Sequence, residues 1–153
     1  MELLSPMGWL SGLMHLPVHQ TLVEFLNLAP RLVKLTRVRL PQESEVRPFV
    51  ALQPAAIILV APTLHDGIDA PHNPGYTALR EVACLLPSGI LRGSLAVTLN
   101  MRLSDHLQQH GALIALRHCL LTPYGETAKS PGARSFATVI ANLGSVLGVS
   151  EEV

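Results

Sequence analysis

The order of apolar and polar positions divides the chain into short strands and brief helices. In "EVACLLPSGILRGSLAVTL" (81–99) two apolar runs are hinged at Pro87-Ser88-Gly89, and Leu91, Gly93, Leu95, Val97 and Leu99 alternate beyond the hinge. Alternation on either side of a turn predicts a hairpin. Leu103 and Leu107 stand four apart with Ser104-Asp105 near the start, which predicts a helix of about two turns. Gly111 is placed to end that helix as a C′ glycine. "ALIALRHCLL" (112–121) returns to alternation, and "TPYGETAKSPG" (122–132) has turn chemistry at Tyr124-Gly125 and Pro131-Gly132. Two closing strands are expected around 134–141 and 145–149, parted by Asn142 and Gly144.

The pattern occurs twice. Shifted by 81 positions, "GWLSGLMHLPVHQTLVEFLNLAPRLVKLTRVRL" (8–40) lies without a gap over "GILRGSLAVTLNMRLSDHLQQHGALIALRHCLL" (89–121). Gly8 meets Gly89, Gly12 meets Gly93, and five leucines between Leu22 and Leu40 meet five between Leu103 and Leu121. Leucine pairs arise easily by chance. The two equally spaced glycines, with Glu24 opposite Asp105 and Asn27 opposite Gln108, are stronger signs of an internal duplication. Beyond this window "PFVALQPAAIILV" (48–60) resembles "SFATVIANLGSVLGV" (135–149) after about six extra residues.

The expected fold class is α+β: a β-rich, internally duplicated module of two small antiparallel sheets, each with one short helix, packed as a pseudo-two-fold pair. Residues 1–61 form the first repeat (β-α-β-β-β), 62–78 a linker loop and 79–150 the second repeat (β-β-α-β-β-β). Met1–Ser5 is too short for a full first hairpin strand, so a strand lent by the other repeat or by a second chain is expected. "PTLHDGIDAPHNPGYTA" (62–78), with its prolines, glycines, histidines and aspartates, reads as the linker.

Composition adds one pressure. Hydrophobic residues make up 48% of the 153 and charged residues 14%, with aromatics at 4%, so the core is aliphatic. A short chain this poor in charge does not readily cover its own surface, and a partner, most simply another copy, is expected to bury the surplus. Eleven basic and eleven acidic residues cancel, which gives no electrostatic footprint for nucleic acid or anionic lipid. No apolar run reaches the length of a membrane span, and Glu2 with no basic residue before Arg31 is the reverse of a secretory leader. A cytoplasmic location without membrane contact is the expectation. Cys84 and Cys119 read as buried, reduced thiols.

Candidate chemistry is sparse. His106 and His110 stand four apart on the expected helix, as two ligands of one metal do, but Phe25 and Ala29 hold the matching positions of the first repeat. The loop "HDGIDAPH" places His65, Asp66, Asp69 and His72 at metal-ligand spacing, although these are also ordinary linker residues. No nucleophile elbow occurs, and Cys119 and His118 fall on opposite faces of a strand. "GILRG" (89–93) lacks the lysine and the following helix of a phosphate loop. In "RLSD" (102–105), Ser104 or Asp105 is expected to satisfy first-turn backbone N–H groups, as Thr21 and Glu24 do in the first repeat. Arg102 and Asp105 could also form an intermolecular pair.

Residues 89–141, through "GSLAVTLNMRLSDHLQQ", "ALIAL" and "SFATVIAN", resemble a small bacterial family of uncharacterised activity. Its pattern runs G-x-L-x-L, then R-L-S-D-x-L-N, then a closing F-V-x-x-N strand. Gln108 replaces its final Asn, and the first repeat keeps only the leucine and the acid of the "RLSD" motif. The resemblance implies a module and no catalysis. The expected function is a non-enzymatic scaffold or assembly subunit, without a cofactor, that binds itself or another protein through aliphatic surface. Alternatives are a metal- or ligand-binding regulatory module using the 65–72 loop and an accessory subunit of a larger enzyme complex.

Overall fold

The computed structural model describes residues 1–63, 67–70 and 72–152. Ten strands and two short helices follow in the order β1 (Glu2–Ser5), β2 (Gly8–Met14), α1 (Leu22–Asn27), β3 (Val33–Arg39), β4 (Val46–Leu52) and β5 (Leu59–Ala61), then β6 (Thr77–Leu85), β7 (Gly89–Thr98), α2 (Leu103–Gln109), β8 (Leu113–Pro123), β9 (Arg134–Asn142) and β10 (Gly148–Glu151). A single 3₁₀ turn, Pro54–Ala56, precedes β5. All ten strands join one antiparallel sheet in the order β10-β6-β7-β8-β9-β5-β1-β2-β3-β4. The expectation of two small sheets in an α+β fold is therefore corrected: the protein is mostly β, with one continuous sheet. No helix among the described residues is long and apolar enough to cross a membrane.

The sheet order contains the same sequence of strands twice. Fifth, first, second, third and fourth strands stand side by side in each half, and β9 of the second half pairs with β5 of the first. The strand pairings match residue for residue. Leu3 faces Leu10 in β1·β2 as Cys84 faces Leu91 in β6·β7, and Leu35 faces Val50 in β3·β4 as Leu116 faces Val139 in β8·β9. The offset of 81 holds through the third strand. It becomes 89 from Val50 to Val139 and from Val60 to Val149, because the β8–β9 connection is eight residues longer than β3–β4, not about six. The first half also has its hairpin: β1 is short but pairs with both β2 and β5, so no strand is lent to it.

Irregular backbone repeats as well. Between Ser11 and Leu13, and between Arg92 and Ser94, the register shifts by a bulge. The extra residue on the facing strand is Arg37 (φ 52°) in one half and His118 (φ 51°) in the other, both left-handed. The glycine opposite each is required by close approach. A Cβ on Gly12 meets Val38 Cγ2 at 3.2 Å and the Thr36 carbonyl at 3.3 Å, and one on Gly93 meets Cys119 Sγ at 3.0 Å and the Arg117 carbonyl at 3.1 Å. His19 and Asn100, also equivalent, are left-handed too.

Antiparallel pairing of β9 with β5 reverses strand direction from one half to the next, so the two cores lie on opposite faces of the sheet. Leu4, Leu59, Val139 and Ala141 point into the core of the second half, and Leu3, Val60 and Ile140 into that of the first. The strands at the seam are thus buried on both faces, which accounts for the unbroken apolar run "AIILVA" (56–61). The halves are related by a head-to-tail repeat of strand order. A two-fold pair would have set the same strand of each half against the other.

Helix boundaries depart from the sequence reading in two places. In α1 the Thr21 hydroxyl accepts from the Glu24 amide at 3.1 Å, and the Glu24 carboxylate accepts from the Thr21 amide at 2.9 Å, a complete capping box. In α2 the N-cap is Arg102, with no side-chain cap, so Ser104 and Asp105 do not repeat the role of Thr21 and Glu24. Gly111 does not adopt the left-handed conformation of a C′ glycine. It is glycine because a Cβ there would run into the side chain of Asn27. The expected linker is also partly structural: Gly67 and Ile68 carbonyls accept from Leu22 and Val23 amides at the start of α1, and Ile68 is buried in the first core.

Gly89 tests the packing. A Cβ there is driven into the Thr122 carbonyl, so Gly89→Ala is expected to cost about 1–3 kcal/mol of unfolding free energy in urea titration. An exposed glycine such as Gly125, with nothing within 4 Å, faces only its backbone penalty of about 1 kcal/mol.

Candidate functional site

The sequence-derived metal ligands do not assemble into a site. His65 and Asp66 lie outside the described residues. Asp69 accepts from the Ala70 amide at 2.8 Å and lines an open cleft with Glu24, Asn27 and His110, whereas His72 Nδ1 lies 2.6 Å from the Thr77 hydroxyl. Among the described residues no group of three or more His, Cys, Asp or Glu is placed to hold a metal ion.

His106 and His110 do come together on α2, with ring centroids 5.2 Å apart. His110 is exposed. His106 is only 8% exposed, its Nδ1 faces the Thr98 amide at 3.5 Å, and its buried Nε2 has no hydrogen-bond partner among the described residues. Desolvation, with the charges of His110 and Arg80, lowers its pKa below the usual histidine value. The ring is thereby kept neutral and serves as packing, as Phe25 does at the equivalent position against the first core.

Cys84 and Cys119 are free and buried. Burial pushes the Cys84 thiol up to about 11 and the Cys119 thiol up to about 12, the reverse of a reactive cysteine.

The most elaborate polar construction is the seam between the halves. Asn27, at the end of α1, donates from Nδ2 to the Leu113 carbonyl at 3.1 Å and accepts the Leu113 amide on Oδ1 at 2.9 Å. The side chain thus pairs with the first residue of β8 as a short strand would, which is why Gly111 beside it has no room for a Cβ. On the far side Asn142 donates from Nδ2 to the Ile57 carbonyl at 2.8 Å, while its backbone amide donates to the Ile58 carbonyl at 3.0 Å. Between them Leu59 faces Ala141 and Val60 faces Ile140. At the start of β9, Arg134 lies 4.7 Å from the Trp9 ring and 4.9 Å from Phe136, and reaches Glu2 at 2.6 Å. In the sequence Asn27 and Gln108 stand out only as a matched pair; that an amide at this position fastens one half to the next is a long-range fact with no local signal.

The outer strands complete the picture. β4 and β10 are the two edges of the sheet, and they are the equivalents of β9 and β5, the strands that form the seam. On one face of the first half, Leu13 (46% exposed), Thr36 and Phe49 (55% exposed) form a cross-strand row. The equivalent row in the second half is Ser94, Arg117 and Thr138, with the Ser94 hydroxyl bonded to Glu81 at 2.5 Å.

Two outcomes follow. Because folding lowers the His106 pKa, stability is full above about pH 6.5 and falls as pH drops below it. His106→Phe is expected to flatten that acid limb in pH-dependent thermal melts and to add about 1 kcal/mol at neutral pH by removing an unpaired buried nitrogen. Folding raises both thiol pKa values above 9.0, so stability is also lost as pH rises from about 9 towards 11–12. Iodoacetamide at pH 8 should label neither cysteine until the protein is unfolded. No family model, curated protein or solved structure matches this chain.

Proposed function

We propose that this protein is a non-enzymatic assembly subunit that associates with further copies of itself through aliphatic surface. The observation that carries this reading is the contrast between equivalent rows on the two halves. The backbone is the same, yet the first half exposes Leu13 and Phe49 to solvent where the second has Ser94, buried and bonded to Glu81, and the half-buried Thr138. Leu16 and Leu32 are exposed near Phe49 as well, and large apolar side chains grouped on a surface mark a contact. Beside Phe49, an open cleft of about 540 Å³ is lined by Leu16, Phe25, Pro30 and Leu32. The zero net charge leaves no long-range repulsion to oppose association.

The double substitution Leu13→Ser with Phe49→Thr places the second half's residues on the first half's surface. Sedimentation velocity over a range of concentrations is expected to show self-association of the native chain, weakened about tenfold or more in the double variant. The thermal midpoint should change little. A native chain that stays monomeric throughout contradicts the reading.

A further inference from the structure

Resting on the reading of self-association, we infer that the copies join head to tail: β10 and α2 of one chain dock on β4 and β3 of the next, as β5 and α1 dock on β9 and β8 within the chain. The seam inside the molecule is the template. β10 repeats β5, down to the pairing of Val149 with Cys84 where Val60 pairs with Leu3. β4 repeats β9, and among the described residues both β4 and β10 have free outer sides. Carried over by the same offset, the seam register Leu59–Ala141 and Val60–Ile140 becomes Gly148–Leu52 and Val149–Ala51 between chains.

Three features support the fit. First, the Asn142 amide faces β5 and the Leu143 amide faces β8, so with alternating sides the Ile140 amide also faces β5. Ala51, its equivalent, therefore turns its backbone groups outward, away from β3. Second, the amide that clamps the seam has a counterpart: Gln108 on α2 stands where Asn27 stands on α1, and Leu32 stands where Leu113 does. Leu113 is 8% exposed, buried by the seam, whereas Leu32 is 39% exposed and lines the open cleft. Pro30 takes the place of Gly111. Third, the outer side stays open along β4: by the same alternation Phe49 also turns its backbone groups outward, and Pro48, which has no amide, falls on the side facing β3.

Such a contact is heterologous, using different strands on the two chains. It closes into a ring if the rotation allows and otherwise extends as a filament. Each seam also reverses strand direction, so cores alternate between the two faces of the growing sheet.

The test is disulfide trapping with two single variants, Ala51→Cys and Val149→Cys. Facing residues of neighbouring antiparallel strands lie about 4.5–5.5 Å apart at Cα, within disulfide range. Cys84 lies directly opposite Val149 on β6, so both variants are made in a Cys84→Ala background; Cys119 is buried. Mixed under mild oxidation, the two variants are expected to give a covalent dimer that neither forms alone. Gln108→Ala, which leaves the fold untouched, is expected to weaken association about tenfold through loss of two hydrogen bonds. If native mass spectrometry finds oligomers but the mixture does not cross-link, or the Ala51→Cys variant cross-links to itself, head-to-tail docking is overturned while self-association stands. A monomer at every concentration overturns both.

Discussion

The β5·β9 seam is the constraint on which the rest of this structure depends. Each half has its own hairpin, helix and aliphatic core, but the strands at the seam have no solvent-facing side, because one set of their side chains enters each core. Separating the halves would expose Leu59, Val60 and Ile140 together and would strip Leu113 of its partner on α1. The two asparagines at the seam answer the backbone accounting there. Asn27 satisfies the amide and carbonyl of Leu113, and Asn142 binds the carbonyl that leaves the 3₁₀ turn. Buried polar groups of this kind specify a register because their loss leaves partners unsatisfied.

Reading the seam as a repeatable joint explains features that are otherwise unconnected. An amide side chain stands at the same helix position in both halves although only one reaches a strand within the chain. Leu32, Val46 and Phe49 are exposed beside β3 and β4, next to the edge that has no neighbour among the described residues. The His106–His110 pair, which first suggests chemistry, is explained by the repeat instead. Its inner ring occupies a packing position that the other half fills with phenylalanine, and the burial that fits it for packing also keeps it uncharged.

Local patterns make much of this legible. Alternation marks the strands on both sides of each helix, and the shift of 81 locates the matching glycines that the bulges require. What is not legible is long-range. Whether ten strands make one sheet or two depends on the pairing of β5 with β9, residues about 80 apart, and no local signal encodes that choice. The aliphatic excess reads as surface awaiting a partner, but part of it is the double-sided burial at the seam. Gly111 resembles a helix terminator and is instead a place where Asn27 passes close to the backbone. The "RLSD" stretch resembles a cap, yet with Arg102 at the N-cap position the hydroxyl that would accept the helix amide is missing. The four ligand-like residues of the 65–72 loop group together by spacing alone, and Asp69 and His72 face different neighbours.

Amide hydrogen exchange of the native chain, followed as a function of protein concentration, bears most directly on the claim that the seam is a joint used both within and between copies. Exchange at Ile140 and Asn142 should stay slow at every concentration, because their seam is internal. At the end of β4 around Ala51 and on β10 around Val149, exchange is expected to slow in parallel as concentration rises, and Leu32 with them. Edges that exchange freely at concentrations where the protein is fully associated would contradict the account.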